Sequence, residues 1–464
     1  MERSIQRVIL CFFALFFILG VYLTYIQFFQ GELLSSHALN RRNWDISKTE
    51  PRGNILDRDG NVLARSVPLG KEKNTRYTRE YPKAAVLAPV TGFVTEKYGK
   101  AGVEDYFNQY LTGIENPQYR LGPISTLWKR KGYNIVLSIN SNIQQTAYAA
   151  LGAYRGAVVV MDPRTGEILA MVSKPTYDPN DIDDNWEATL QDTRSLLLNR
   201  ALQGLYPPGS AIKPLIAAAA LEERVTDNKK IYKSPGYLKI GKYTLNEANG
   251  KALGNINLER ALALSSNVAF GQMGLDLGRE KLGRYFEKFG FGQTVPLNFP
   301  LEKSRLPQFS RLADGELAQT AVGQGELLVT PLDMALMTSA LANRGITMKP
   351  ILVSSVTDDD GRTIKSFATE VWLRPISSRT AETVKTMMGE VVEWGTGTAA
   401  AVPGLRVAGK TGTAENPHGA PHAWFVGMAP LEKPEIVVVV VVENGGAGGG
   451  VAAPIARRIF EKAL

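Results

Sequence analysis

The sequence predicts an α/β protein of the α+β kind. A central antiparallel sheet flanked by helices follows an N-terminal α+β module, and one transmembrane helix opens the chain. Three observations carry this. Residues 8–29 read VILCFFALFFILGVYLTYIQFF, without a charge. From residue 134 onward come strand-like runs, then a helical middle, then more strands and a closing helix, an order that suits one sheet covered by helices. The chain has 464 residues, 44% hydrophobic and 21% charged, which exceeds one ordinary domain and is globular in balance.

As a helix, Val8–Phe29 is about 33 Å long, enough to cross a bilayer. Arg3 and Arg7 precede it, which predicts a cytoplasmic N-terminus. Tyr22, Tyr25 and several Phe lie toward the far end, where aromatic rings favour the interface. A cleaved signal peptide is the competing reading. The run is long for one, and QFFQGELLSSH after it offers no A-x-A-like site. The prediction is an uncleaved single-pass anchor with the rest of the chain outside the cytoplasm. IVVVVVV at residues 436–442 is too short to span and reads as a buried strand.

The net charge is +8, but the basic residues are scattered, with no Lys/Arg-rich block longer than WKRKG at residues 128–132. That argues against nucleic-acid binding. Cys11 is the single cysteine, so an intrachain disulfide and a cysteine-ligated metal are excluded.

Residues 30–50 are polar and helix-compatible. In PRGNILDRDGNVLARS, Asp57, Asp59 and Asn61 fit the first ligand positions of a calcium loop. Position six is then Val62 and position twelve Pro68, where glycine and a carboxylate are required. Two short strands joined at Asp59-Gly60 explain the segment better. Residues 70–130 read as a small α+β module without chemical clusters. NIVLSI from residue 134 is a strand, NSNIQQTAYAALGAY a capped helix, and GAVVVMDPRTGEILAMVS a hairpin turning at Pro163–Gly166. Helical patterns follow Ser210, Leu258 and Thr330. RVAGKTGTAE, HAWFVGMAP and EIVVVVVVEN are strands, and PIARRIFEKAL closes the chain as a helix. The expected division is an anchor at 1–30, an N-terminal module at 31–150 and a main domain at 151–464.

LYPPGSAIKP places Ser210 and Lys213 three residues apart. Pro207 and Pro208 disfavour helix before Gly209, while AIKPLIAAAALE favours one after it, with Pro214 tolerated in the first turn. Ser210 therefore sits near a helix N-terminus, whose free N–H groups stabilise negative charge. Residues i and i+3 share a face, so Lys213 can meet the Ser210 hydroxyl. The chain has only His37, His418 and His422, and a neutral lysine can replace histidine as base if burial lowers its pKa. Alone, such a pair is expected about once by chance, as a capping serine and a solvated lysine. ALALSSNVAFG adds Ser265, Ser266 and Asn267 as a polar island in an apolar helical run; an N-cap would explain one such residue, not three. Ser138-Ile139-Asn140 is a decoy that closes a strand before a helix. VAGKTGTAE adds Lys410, Thr411, Gly412 and Thr413 on one strand, where a cation and a hydroxyl suit an acidic substrate and Gly412 admits a ligand backbone.

Ser-x-x-Lys, Ser-x-Asn and Lys-Thr-Gly in this order are the set of active-serine penicillin-recognising enzymes. The chain resembles a class B penicillin-binding protein, a monofunctional peptidoglycan DD-transpeptidase. RGNILDRDGNVLA and GVE resemble the family's pedestal motifs. NRALQGLYPPGS, AVGQGELLVTPLDMA, GTGTAA and HAWFVGMAP resemble landmarks of its transpeptidase domain. The resemblance implies that Ser210 attacks the penultimate D-alanine carbonyl of a D-Ala-D-Ala stem peptide, with Lys213 as base. Ser265 passes a proton to the leaving D-alanine, and Asn267 holds the substrate amide. Lys410 and Thr411 bind the terminal carboxylate, beside Gly412, and the N–H groups of Ser210 and Thr413 form the oxyanion hole. β-Lactams would acylate Ser210. No cofactor and no metal are implied, and the partner would be a SEDS-type glycan polymerase in the membrane. Ala211 and Asn140 depart from the family's common threonine and aspartate, and the expectation is a compact pedestal without an extra C-terminal repeat domain after Leu464.

A DD-carboxypeptidase differs only in using water as acceptor, and a β-lactamase needs a water-activating Glu that is not assignable here. A non-catalytic scaffold of a wall-synthesis complex is disfavoured by the intact Ser210, Lys213, Ser265 and Lys410. HGAPH places His418 and His422 four apart without helical context or a third metal ligand. ENGGAGGG lacks the Gly-Lys-Ser/Thr of a phosphate loop and reads as a flexible connection.

Overall fold

The computed structural model describes residues 2–30, 50–70, 76–114 and 131–464. Most of the helix-compatible stretch at 30–50 lies outside them. Helix α1, Glu2–Tyr25, ends in a π turn, Ile26–Gln30. Its segment Ile5–Tyr25 is long and apolar enough to cross a membrane, and none of its most apolar stretch is buried against the protein.

In chain order the main strands are β1 (Ile55–Leu56), β2 (Val62–Leu69), β3 (Arg76–Glu80), β4 (Asn134–Leu137), β5 (Gly156–Met161) and β6 (Ile168–Lys174). There follow β7 (Tyr237–Ile240), β8 (Tyr243–Asn246), β9 (Val353–Thr357), β10 (Thr363–Ser366), β11 (Ala408–Ala414), β12 (His422–Ala429) and β13 (Ile436–Val442). The main helices after α1 are α2 (Ser141–Leu151), α3 (Lys213–Glu222), α4 (Leu258–Ala263), α5 (Asn267–Lys288), α6 (Pro331–Ala342), α7 (Ser378–Glu393) and α8 (Ala452–Ala463).

A mixed six-stranded sheet has the order β10-β9-β4-β1-β2-β3. Strands β1 and β4 are parallel, with Ile55 opposite Ile135, while β9 runs antiparallel to β4. This sheet therefore joins chain segments from both sides of residue 150. The Asp57–Asn61 turn explains the calcium-like spacing. One Asp57 oxygen accepts from the N–H groups of Asp59 (2.9 Å) and Asn61 (2.8 Å), and the other from Asn61 Nδ2 (2.9 Å). The carboxylate closes a turn.

Within residues 70–130, read as free of chemical clusters, Arg79 and Glu104 join Arg52 in a structural ion-pair cluster. Glu104 is fully buried and takes bonds from Arg52 (2.8 and 3.0 Å) and Arg79 (2.6 Å). The RGN and GVE segments thus meet in one ionic knot, which fixes three chain positions beside the buried Val103, Phe107 and Tyr81.

The main sheet is antiparallel throughout, in the order β11-β12-β13-β5-β6. Central strand β13 is buried along its whole length. Val437, Val439 and Val441 belong to the core that contains α3 and α6, and Val438, Val440 and Val442 to the core that contains α8. An uninterrupted valine run is what a strand covered on both faces requires.

The polar island also differs from expectation. The stretch is two helices, α4 and α5, broken at Ser265, whose φ is +60°. Ser266 is in fact the N-cap of α5, accepting from Ala269 N at 3.0 Å. Ser138-Ile139-Asn140 behaves as read: Asn140 caps α2 by accepting from the N–H groups of Asn142 and Ile143.

Candidate active site

Ser210 lies in a 3₁₀ turn, Gly209–Ile212, that runs directly into α3 at Lys213. The turn is held from several sides. Gly209 has φ +52° and donates to Gly323 O at 2.8 Å. Trp424 Nε1 donates to Pro207 O at 3.0 Å. Upstream, Tyr206 Oη and Arg200 Nε both donate to Glu443 Oε1 at 2.8 Å, and Arg155 pairs with the same carboxylate. The sequence landmarks around 199–210, 321–335 and 422–430 therefore meet at the serine turn.

Lys213 and Lys410 are both fully buried. Lys213 Nζ donates to Ser265 O (2.7 Å), Asn267 Oδ1 (2.8 Å) and Ser265 Oγ (3.3 Å). Lys410 Nζ donates to the same Ser265 Oγ and to Thr411 O, each at 2.9 Å. The expected pairing of Lys213 with Ser210 is absent among these bonds: the amine turns toward the Ser265–Asn267 segment, where the left-handed Ser265 backbone brings a carbonyl and a hydroxyl together. Burial lowers Lys213 to about 7, against a raising influence of Glu247. Burial, and then the charge of Lys213, hold Lys410 well below the ordinary lysine range.

A cleft of about 970 Å³ opens over these groups, lined by Ser210, Ser265, Asn267, Thr411 and Thr413 among others. Lys213 and Lys410 lie behind its wall. Strand β11 is the sheet's edge, so an extended peptide can add to its free side. Thr411 Oγ1 is 2.8 Å from Thr396 Oγ1 of the GTGTAA segment, and Thr413 Oγ1 accepts from Gly448 N at 3.3 Å.

Gly412 has a packing role that its motif alone does not mark. A Cβ there would stand 2.9 Å from Pro208 O and 3.0 Å from both Ala211 N and Cβ. The glycine admits the serine turn. Likewise, Gly448 packs where a Cβ would lie 2.3 Å from Gly412 O, and Gly445 and Gly449 are also closely packed, so these glycines of 443–450 serve packing as well as connection.

Sequence reasoning missed Glu247 and Thr396. Glu247 follows β8 and is buried beside Ser266 and Asn267. Nothing in a lone Glu within LNEANG marks it. His422 Nδ1 accepts from Asn444 N at 3.1 Å, so that nitrogen is engaged within the fold.

An antiparallel sheet between two helical layers, with Ser-x-x-Lys, Ser-x-Asn and Lys-Thr-Gly converging on one cleft at its edge, defines the class of penicillin-recognising serine enzymes. Comparison with known proteins makes this specific. Residues 156–461 match the penicillin binding protein transpeptidase domain, and residues 52–128 the penicillin binding protein A dimerisation domain. A peptidoglycan D,D-transpeptidase PbpA of Mycolicibacterium smegmatis is 34% identical, over 100% of this chain and 99% of the relative. Penicillin-binding protein A from M. tuberculosis, solved as its penicillin G acyl-enzyme complex, has a TM-score of 0.83 at 32% identity, covering 89% of this chain and 100% of that one. The D,D-transpeptidase domain of a peptidoglycan glycosyltransferase from Eggerthella lenta gives 0.82 at 38%, covering 90% and 98%. The chain belongs to the penicillin-binding protein transpeptidase family, on the class B branch.

Proposed function

We propose that the protein is a peptidoglycan D,D-transpeptidase that crosslinks stem peptides through a serine acyl-enzyme and is acylated by β-lactams. The observation that carries this is the shared hydroxyl. Ser265 Oγ lies within hydrogen-bond reach of two buried lysines, at the edge of the cleft that also exposes Ser210.

In this reading a stem peptide lies along the free edge of β11. Its D-Ala-D-Ala carbonyl sits at the Ser210 turn and its terminal carboxylate near Thr411 and Thr413, in the positive field of Lys410. Neutral Lys213 takes the Ser210 proton as Oγ bonds to the carbonyl carbon. The N–H groups of Ser210 and Thr413 hold the oxyanion. Ser265 relays the proton to the departing D-alanine nitrogen as the C–N bond breaks. Asn267 orients the substrate amide. An amine of a second stem peptide then attacks the ester, gives up its proton through the same relay, and releases Ser210. Gly412 keeps β11 against the serine turn. No step calls for a cofactor or a metal.

The anchor at 1–30, pedestal at 31–150 and catalytic domain at 151–464 form a proposed division of labour. The N-terminal apolar helix fits single-pass membrane association, and Arg3 and Arg7 support a cytoplasmic N-terminus. The anchor and pedestal would meet a SEDS-type glycan polymerase.

Labelling with a fluorescent penicillin, followed by mass mapping, tests the mechanism. The label is expected on Ser210 and is lost in Ser210→Ala; an unlabelled wild type or a labelled Ser210→Ala overturns it. Lipid II with a polymerase then distinguishes crosslinked product from simple D-alanine release by a carboxypeptidase.

A further inference from the structure

Glu247 is a buried carboxylate without an ion pair among the described residues. It sits just after the β7–β8 hairpin and gathers four donors. Oε1 accepts from Ser234 Oγ (2.8 Å), Val268 N (3.2 Å) and Ser266 Oγ, and Oε2 from Asn267 N (2.6 Å). These donors include the first N–H groups of α5, where a negative charge is favoured. The neighbouring Asn246 O accepts from Asn267 Nδ2 at 2.9 Å. That bond fixes which end of the Asn267 amide faces the site, and leaves Oδ1 to accept from Lys213 Nζ.

One hairpin end thus sets the cap, the backbone and the side-chain orientation of the Ser-x-Asn segment. A neutral cap would satisfy α5 alone. A carboxylate also places a full charge one residue from the Lys213 amine. The other charge near Lys213 is Lys410 on β11; α7, which packs on α3, carries Lys385, and that lysine pairs with Glu382 of its own helix. From α5 itself Lys213 meets Asn267 and the Phe270 ring, 5.4 Å away.

We infer that Glu247 is a positioning residue for acyl transfer: it locks the Ser266–Asn267 segment in register with Lys213 and supplies the one negative charge that acts on that amine. The inference rests on the proposed function. In agreement with it, Glu247 opposes the lowering effect of burial on Lys213.

The test is the rate of acylation by a fluorescent penicillin as a function of pH, on the full chain in detergent, for wild type, Glu247→Gln and Ser266→Ala. Glu247→Gln is expected to lower the plateau rate about tenfold or more and to move the acid limb to lower pH, because removing a nearby negative charge favours the neutral amine. Ser266→Ala removes a cap bond but keeps the charge, so its plateau falls and its limb stays. A Glu247→Gln limb at the wild-type pH, with only thermal stability reduced, would leave a purely structural role and overturn the proposal. Should Glu247→Gln not fold, Glu247→Asp withdraws the carboxylate by one methylene; labelling of that variant at the wild-type rate overturns it equally. An unlabelled wild type would instead refute the serine mechanism, so the two failures are distinguishable.

Discussion

Lys213 and Lys410 point their amines at one oxygen, Ser265 Oγ, from 3.3 and 2.9 Å. The two nitrogens are then no more than about 6 Å apart. Two full charges at that separation repel by about 3 kcal/mol at an effective dielectric of 20, the equivalent of about two pKa units. Both are also buried. Holding both protonated is the costly state, and a neutral amine beside a hydroxyl is what a proton relay needs.

The first prediction concerns pH. Lys213 is lowered to about 7, chiefly by burial. The base form is the neutral amine, so acylation rises with pH through about 7 and falls about tenfold per unit well below it. Rates with a fluorescent penicillin from about pH 5.5 to about 9 check this. A flat profile would remove Lys213 as the base. Lys213→Arg, which stays protonated, is expected to lose about a thousandfold or more.

Gly412 supplies the second. A Cβ would press on Pro208 O and Ala211 at 2.9–3.0 Å, and backbone cannot swing aside as a side-chain tip does. Gly412→Ala is expected to push β11 from the serine turn, slow acylation by about tenfold or more, and cost about 1–3 kcal/mol as overpacking does. Gly404→Ala is the control. Its φ is +78° but nothing lies within 4 Å of the added carbon, so it costs about 1 kcal/mol through backbone strain alone and labels at the wild-type rate. Equal labelling of the two variants would refute the contact argument.

The contrast between Gly412 and Glu247 shows what a sequence makes legible. Strands, hairpins and the valine run are visible because burial on one face or two leaves a local period. The three motifs are visible because acyl transfer needs their residue types at fixed spacings. Glu247 has no such mark: it is one of 45 acidic residues, and its burial is produced by elements that meet only in the fold. The break at Ser265 was hidden for a related reason. A left-handed residue between two helices leaves the apolar pattern nearly continuous, and with serine in place of glycine nothing marks the local bonds that close α4 there, Ser266 N to Ala261 O (2.8 Å) and Ser265 N to Leu262 O (3.2 Å). The joining of β9 to β4 is a pairing across more than 200 residues, which no local pattern encodes.

Glu104 yields a prediction on stability. Burial would raise its pKa, but Arg79 and Arg52 outweigh burial and hold it below its ordinary 4.5. A carboxylate with a depressed folded pKa stabilises fully above its unfolded value, and that contribution is lost as pH falls through the folded one. At neutral pH, Glu104→Ala leaves two arginines without their carboxylate and is expected to cost about 3–5 kcal/mol. The gap between wild type and variant should hold down to about pH 4.5 and narrow only beneath it. Denaturant unfolding at a series of pH values checks this; a gap that closes already near neutrality would mean that Glu104 is not ionised in the folded protein.

Glu443 separates the placement of Ser210 from the chemistry of Lys213. Its carboxylate holds Arg200, whose side chain is fully buried, together with Tyr206 Oη, three residues before the Gly209 turn. It does not touch either buried lysine. Glu443→Gln keeps an acceptor for one of these donors but removes the charge opposite Arg200, and breaking such a buried pair costs about 3 kcal/mol or more. Because the loop from Tyr206 to Gly209 carries the serine, the plateau rate of acylation should fall with stability. The acid limb should stay at the wild-type pH, since the charges acting on Lys213 are unchanged. Measured beside Glu247→Gln on the same pH series, the two variants should therefore differ in kind: both lower the plateau, and only the change at Glu247 moves the limb. A shift of the limb in Glu443→Gln would show that the serine loop and the lysine are coupled, and that the turn does not position Ser210 independently of its base.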